Sequence, residues 1–178
     1  MENDTFQLHP DTQIAHVELQ VADLSRMTAF YGGLLGFQLI DQADGVARLS
    51  PTGTLPALLT LTERKGARIQ PQERSGLYHT AFRFSGRKTL LEEADQAVAQ
   101  TGVIDAETDI GHMHLQVSDT STTAAFYHDL LGMDIIVNWP SAIFMSAGGY
   151  HHHLGANTWH SQNAPRREDD MTGLRSYA

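Results

Sequence analysis

The sequence predicts an α+β protein built from copies of one strand–helix–strand–strand–strand unit, two whole and two partial. Three observations lead there. Residues 14–37, IAHVELQVADLSRMTAFYGGLLGF, and residues 110–133, IGHMHLQVSDTSTTAAFYHDLLGM, are identical at 13 of 24 positions with an offset of 96. Within each copy the apolar period changes from two to three-and-four, as it does where a strand hands over to a helix. The stretches GLYHTAFRF at 76–84 and GLRSYA at 173–178 begin a related strand again. Self-similarity at a fixed offset marks a repeated supersecondary unit.

The elements follow in order. Residues 1–13 are an N-terminal extension. The first module spans 14–63, and its opening strand alternates Val17, Leu19 and Val21 with His16, Glu18 and Gln20. Asp23 occupies the N-cap of the helix that follows. Leu24, Met27, Phe30, Tyr31, Leu34 and Leu35 form its apolar stripe, and Gly36 its left-handed stop. Strands are expected at 37–41, 46–50 and 57–63, separated by turn residues. The third module, 110–158, repeats the plan, with Met113, Leu115 and Val117 opposite His112, His114 and Gln116, a cap at Asp119 and a stop at Gly132. Its later strands are expected at 133–137, 142–146 and 150–157.

The second module, 76–102, is partial: a strand at 77–84 and a helix at 88–99. Only 101–109 remain before the next His-led strand, too few for three strands of about five residues with turns. The fourth, 173–178, has its first strand alone.

Composition bounds the function. The chain has 178 residues, 41% hydrophobic and 19% charged, enough for one ordinary domain or two very small ones. It contains no cysteine, which excludes disulfides, thiolate metal sites and a cysteine nucleophile. A formal net charge of −9 disfavours nucleic acid, whose phosphates need a basic face, and anionic membranes. No apolar run approaches the roughly 18–20 residues that cross a bilayer. Residues 1–10 lack the basic-then-apolar plan of a signal peptide, so a cytoplasmic location is expected.

Ten histidines point first to metal. His16, His79 and His112 hold the same early place on three first strands, on the polar face. Neutral imidazole ligates first-row metals, and two histidines with one carboxylate form the facial triad of non-haem Fe(II) sites. Any one of them alone reads better as a structural hydrogen-bonding residue; three in register favour ligation. His112 with His114, and His151 with His153, are same-face pairs, with His152 facing away. Glu18 shares a face with His16, as a ligand or as an acceptor behind one. Gly32-Gly33 and Gly148-Gly149 lack the pattern of a phosphate loop, and no nucleophile elbow occurs. Trp139 and Trp159 read as pocket wall or as core, core being favoured.

The segments HVELQVADLSRMTAFYGGLLGF and HMHLQVSDTSTTAAFYHDLLGM resemble the vicinal oxygen chelate proteins, the superfamily of glyoxalases, bleomycin-resistance proteins and extradiol dioxygenases. GLYHTAFRF and AGGYHHHLGANTW resemble, more narrowly, bacterial catechol 2,3-dioxygenase-like proteins. The resemblance implies βαβββ modules paired into a cupped mixed sheet, helices outside, around a divalent metal. Fe(II) is favoured, with Mn, Ni, Zn or Co as alternatives, and the substrate is a small aromatic diol-like molecule.

Residue by residue, the first-strand ligand positions fall on His16, His79 and His112; Ser176 stands at the fourth. The last-strand positions fall near Thr60 and Gly155, and the second module's carboxylate strand has no counterpart. Glu18, His114, His151, His153, Asp105, Glu107 and Asp109 are candidates to complete a sphere, and His114, His151 and His153 could serve as acid–base groups. Two pairings are open: module one with the second-module fragment, bringing His16 to His79, or with module three, bringing His16 to His112. The expected function is extradiol ring cleavage. The alternatives are a metal-free binding protein of the bleomycin-resistance type, a glyoxalase-like metalloenzyme, or an inactive remnant. Unpaired strand edges favour a homodimer or strand-exchanged oligomer.

Overall fold

The computed structural model describes residues 6–85 and 102–178; the helix expected over 88–99 lies outside them. The strands are β1 Val17–Val21, β2 Gln38–Ala43, β3 Val46–Ser50, β4 Leu59–Glu63, β5 Gly76–Arg83, β6 Asp109–Gln116, β7 Asp134–Trp139, β8 Ala142–Ser146, β9 Leu154–Asn157 and β10 Gly173–Tyr177. Two helices, α1 Leu24–Ala29 and α2 Thr120–Ala124, follow β1 and β6. The strands make two five-stranded mixed sheets, β10-β1-β4-β3-β2 and β5-β6-β9-β8-β7. The described residues divide into two compact units: unit one within Met1–Ile14, Gln70–Ala81 and Gly111–Glu168, unit two within Ala15–Ile69, Phe82–Ile110 and Asp169–Ala178.

In each sheet the His-led strand runs parallel to the last strand of its module, β1 with β4 and β6 with β9. The expected alternation holds on β1, where Val17, Leu19 and Val21 are buried; Leu49, Leu59 and Leu61 join them as the core of unit two. Met113, Leu115, Ile143, Met145 and Leu154 do the same in unit one.

The helices start as the caps dictate. The Asp23 carboxylate accepts from the Arg26 N–H at 2.9 Å, and Asp119 accepts from the Thr122 N–H at 2.7 Å. Both then widen into a π-helical turn, Phe30–Leu34 and Ala125–Leu130. A π turn closes with i→i+5 bonds and advances more residues per turn, so the stripe read at α-helical spacing drifts off the core. Leu24 is buried, but Phe30 and Leu34 are 43% and 48% exposed. Gly36 stops the first helix at φ 77°, and a Cβ there would lie 2.6 Å from the Ile104 backbone nitrogen.

The fragments complete the sheets. β10 lies antiparallel on the free edge of β1, with Ser176 opposite Glu18, and β5 lies beside β6. One side-chain device serves both edges. The Gln20 carboxamide donates to the Asp169 and Met171 carbonyls at 2.6 and 2.7 Å. The Gln116 carboxamide donates to those of Gln72 and Arg74 at 2.5 and 3.3 Å. In both cases the acceptors stand four and two residues before the glycine that opens the added strand, Gly173 or Gly76. Both glutamines are buried, where a polar group needs such partners.

Candidate metal centre

Unit one gathers histidines on the strand face left free by its core. With β5 beside β6, His79 Nε2 and His112 Nε2 come within 3.0 Å. His114, two residues along β6, is buried, with its ring centroid 5.1 Å from that of His79. Its Nε2 lies 3.0 Å from Asn157 Nδ2. The Asn157 Oδ1 accepts from the Trp159 N–H, so the amide is oriented with its NH₂ toward His114. His114 Nε2 is therefore the acceptor, and Nδ1 carries the proton. A Cβ at Gly155 would lie 3.0 Å from His114 Nδ1. The last-strand position expected near Gly155 is thus covered by the His114 ring, which any side chain there would have to push aside.

The segment expected to open the last strand at 150 is a loop; β9 starts at Leu154. Gly148 and Gly149, both at positive φ, turn the chain, and alternation does not apply across it. His153 consequently does not share a face with His151. It is buried, with Nδ1 accepting from the Ala147 N–H at 3.3 Å and 3.0 Å from Ser146 Oγ. His152, expected to face away, joins His151 and His112, and one ring nitrogen from each lies within 4.8 Å of the others.

Aromatic rings border the histidines. Tyr78, Phe144 and Trp159 lie 5.3, 5.5 and 5.6 Å from His114. Trp159 and Trp139 are 47% and 57% exposed, so the favoured core reading fails, and Trp159 stands beside His114 as the other reading had it. Sequence reasoning missed Tyr78, Phe144 and Asn157 as neighbours of the site. For Asn157 a signal existed, since its strand must pair with β6 if the module copies the first.

Burial lowers the pKa values of His79 and His112. Burial, and then the neighbouring imidazoles, push His114 and His152 down to about 4. These rings are neutral at pH 7 and keep the lone pairs that a metal requires. Two ligands at about 2.1 Å from one ion and at right angles to it stand about 3.0 Å apart, which the His79–His112 pair matches. The donor set fits a divalent first-row ion.

The copy in unit two is built differently. Glu18 occupies the place of His114, and Ser176 that of His79. The Arg175 guanidinium pairs with Glu18 Oε1 at 2.8 Å, Thr62 Oγ1 donates to the same oxygen at 2.8 Å, and Ser176 Oγ donates to Oε2 at 3.2 Å. His16 Nε2 lies 2.9 Å from Thr60 Oγ1. Of the sequence-predicted ligands, then, His79 and His112 meet in unit one, while His16 and Glu18 belong to unit two, where an arginine already neutralises the carboxylate. Asp105 bonds with Ser85 and the Glu107 N–H, and Asp109 is paired with Arg83. Among the described residues, His112, His151 and His152 form the group of three or more ligating side chains.

Two parallel-paired βαβββ sheets, each with a histidine at the head of its first strand, define a class. A sequence model of the glyoxalase/bleomycin resistance protein/dioxygenase superfamily matches residues 13–110 and 109–173, and the chain belongs to that superfamily. It is 31% identical to the catechol-2,3-dioxygenase of Bacillus subtilis (strain 168) over 237 aligned positions, covering 96% of this chain and 83% of the relative. That alignment is longer than the 178-residue chain, so the relative has stretches with no counterpart here.

Solved structures agree on the fold. A putative dioxygenase from Bacillus subtilis superposes with a TM-score of 0.57 at 14% identity, over 82% of this chain and 63% of that one. This chain therefore spans less than two thirds of that structure. Glyoxalase I from Zea mays gives 0.56 at 16% identity, over 93% and 72%. The α+β class and the superfamily expected from the repeats are those found. No helix among the described residues is long and apolar enough to cross a membrane.

Proposed function

We propose that the chain is a metal-dependent oxygenase that opens catechol-like rings, with the histidine cluster of unit one as its centre. The observation that carries this reading is the His79–His112 pair, two imidazole nitrogens 3.0 Å apart on adjacent strands. The kinship with a catechol-2,3-dioxygenase supports the reaction class. His79 and His112 hold the ion, Fe(II) in the favoured reading, with Ni, Zn, Co or Mn as alternatives, of which Mn is the least suited to nitrogen donors. When bound, the ion supplies Lewis acidity and a template for both reactants.

The chain's own groups do the rest. Tyr78, Phe144 and Trp159 offer aromatic faces and edges against which a planar ring packs. His114, neutral and fixed by Asn157, presents Nδ1–H as a hydrogen-bond donor.

Anaerobic loading with Fe(II), then exposure to oxygen and a panel of catechols, tests the reading. A ring-opened product absorbing in the visible range is expected from the parent and not from His112→Ala. No product from any catechol, in protein confirmed to hold iron, overturns it.

A further inference from the structure

We infer that His151 and His152, on the loop before β9, are metal donors that join His112 in a centre made of imidazole alone, with His79 beside His112 as the candidate fourth donor. This rests on the reading of unit one as a metal centre and extends it to ligand set and metal preference.

Three features carry it. The ring nitrogens of His112, His151 and His152 already lie within 4.8 Å of one another, a few tenths of an ångström more than the roughly 4.2 Å that spans two opposite ligands of one ion. The loop is held in that attitude at both ends. Gly148 and Gly149 turn it at positive φ, and His153 is buried against Ser146 and Ala147, so the two preceding rings are directed toward β6. The place where a last-strand ligand would stand is closed, because Gly155 lies under the His114 ring. Among the described residues no carboxylate joins the group, and Glu18, the carboxylate on the matching strand of unit two, is engaged by Arg175.

An all-imidazole set discriminates by softness and geometry. Oxygen-seeking Mg(II), Ca(II) and Mn(II) gain little from it, and affinity rises from Fe(II) through Co(II) and Ni(II) to Cu(II), with Zn(II) close behind. The set also neutralises none of the ion's charge. The loaded site keeps two positive charges and favours an anionic oxygen ligand such as a deprotonated diol.

The test uses the metals themselves on the intact chain. Co(II) is titrated by its visible ligand-field bands, Zn(II) by competition, and the imidazoles bound to Cu(II) are counted by pulsed electron paramagnetic resonance. The parent is expected to bind one ion with three or four imidazoles. Removing groups behind the ligands costs 10–100-fold in affinity, so the double variant His151→Ala/His152→Ala should bind at least about 100-fold more weakly. The urea midpoint of the metal-free variant should match the parent, since both rings lie on a loop. Parent-level affinity in the double variant, or only two imidazoles on Cu(II), overturns the inference. The two readings fail separately. Weakened metal binding in the variant with no ring cleavage by the parent removes the proposed function alone. Full iron binding and ring cleavage in the variant removes the loop donors alone.

Discussion

Acidification should destabilise the metal-free protein through His114, and the size of the effect follows from its surroundings. The residue is 4% exposed. Burial first, and then the charges of His79 and His112, lower its pKa to about 4. In the unfolded chain an ordinary histidine titrates near 6.5. Below pH 6.5 the unfolded state therefore binds more protons than the folded one, and stability falls as pH falls. The loss begins near pH 6.5 and is complete only below about 4. One pKa unit is worth about 1.4 kcal/mol, so the full loss is about 3 kcal/mol, of which about 2 kcal/mol is reached at pH 5. Against a typical total of about 5–15 kcal/mol this is readily measured. The assay is urea unfolding with chelator at pH 8, 6.5 and 5, on the parent and on His114→Gln. Glutamine can still accept from Asn157 but does not titrate. His114 is among the imidazoles that lower His152, so His152 costs the variant less on acidification, and the parent should lose at least about 2 kcal/mol more than the variant between pH 8 and 5. Parallel losses would refute the reading of His114 as a buried, neutral imidazole.

Two further substitutions probe the framework. Gln116→Ala removes the donor to the Gln72 and Arg74 carbonyls and should cost about 1–3 kcal/mol, with amide exchange on β5 accelerating more than on β8; an unchanged urea midpoint would show that the carboxamide does not hold the strand. Gly155→Val places a branched side chain where a Cβ alone already meets three atoms of the His114 ring at 3.0–3.2 Å; overpacking of about 1–3 kcal/mol and a displaced His114 ring signal are expected by thermal unfolding and NMR, and an unmoved ring signal would contradict the stacking.

What could be read from sequence was what the repeat duplicates. Asp23 and Asp119 cap as expected because a cap needs only one short acceptor three residues before a free N–H. The alternation of β1 and β6 was legible because period two is a local property. Three features were not legible. The π turns after Ala29 and Ala124 leave no local mark, and they carry Phe30 out of a stripe that α-helical spacing predicts. Which fragment completes which edge depends on long-range pairing, so β5 beside β6 could not be chosen from sequence. His152 was misplaced because the alternation rule was extended across Gly148-Gly149, where the chain turns and no ladder enforces the rule. The pairing of Glu18 with Arg175 needed β10 to be laid on β1, and spacing alone could not show that the carboxylate was already taken.

The two edge strands also differ in when they become available. His79 and His112, facing across β5 and β6, are 33 residues apart in the chain; Glu18 and Ser176, facing across β1 and β10, are 158 apart. Loop-closure entropy grows with the logarithm of length, and the longer closure costs about 1.4 kcal/mol more. During vectorial synthesis the β5–β6 ladder can form as soon as β6 emerges, whereas β1 exposes a bare edge until β10 is made. That edge is a template for other chains in the interval. Pulse-labelled hydrogen exchange during refolding should protect β6 amides before those of β1, and simultaneous protection would show that both ladders close in one cooperative step.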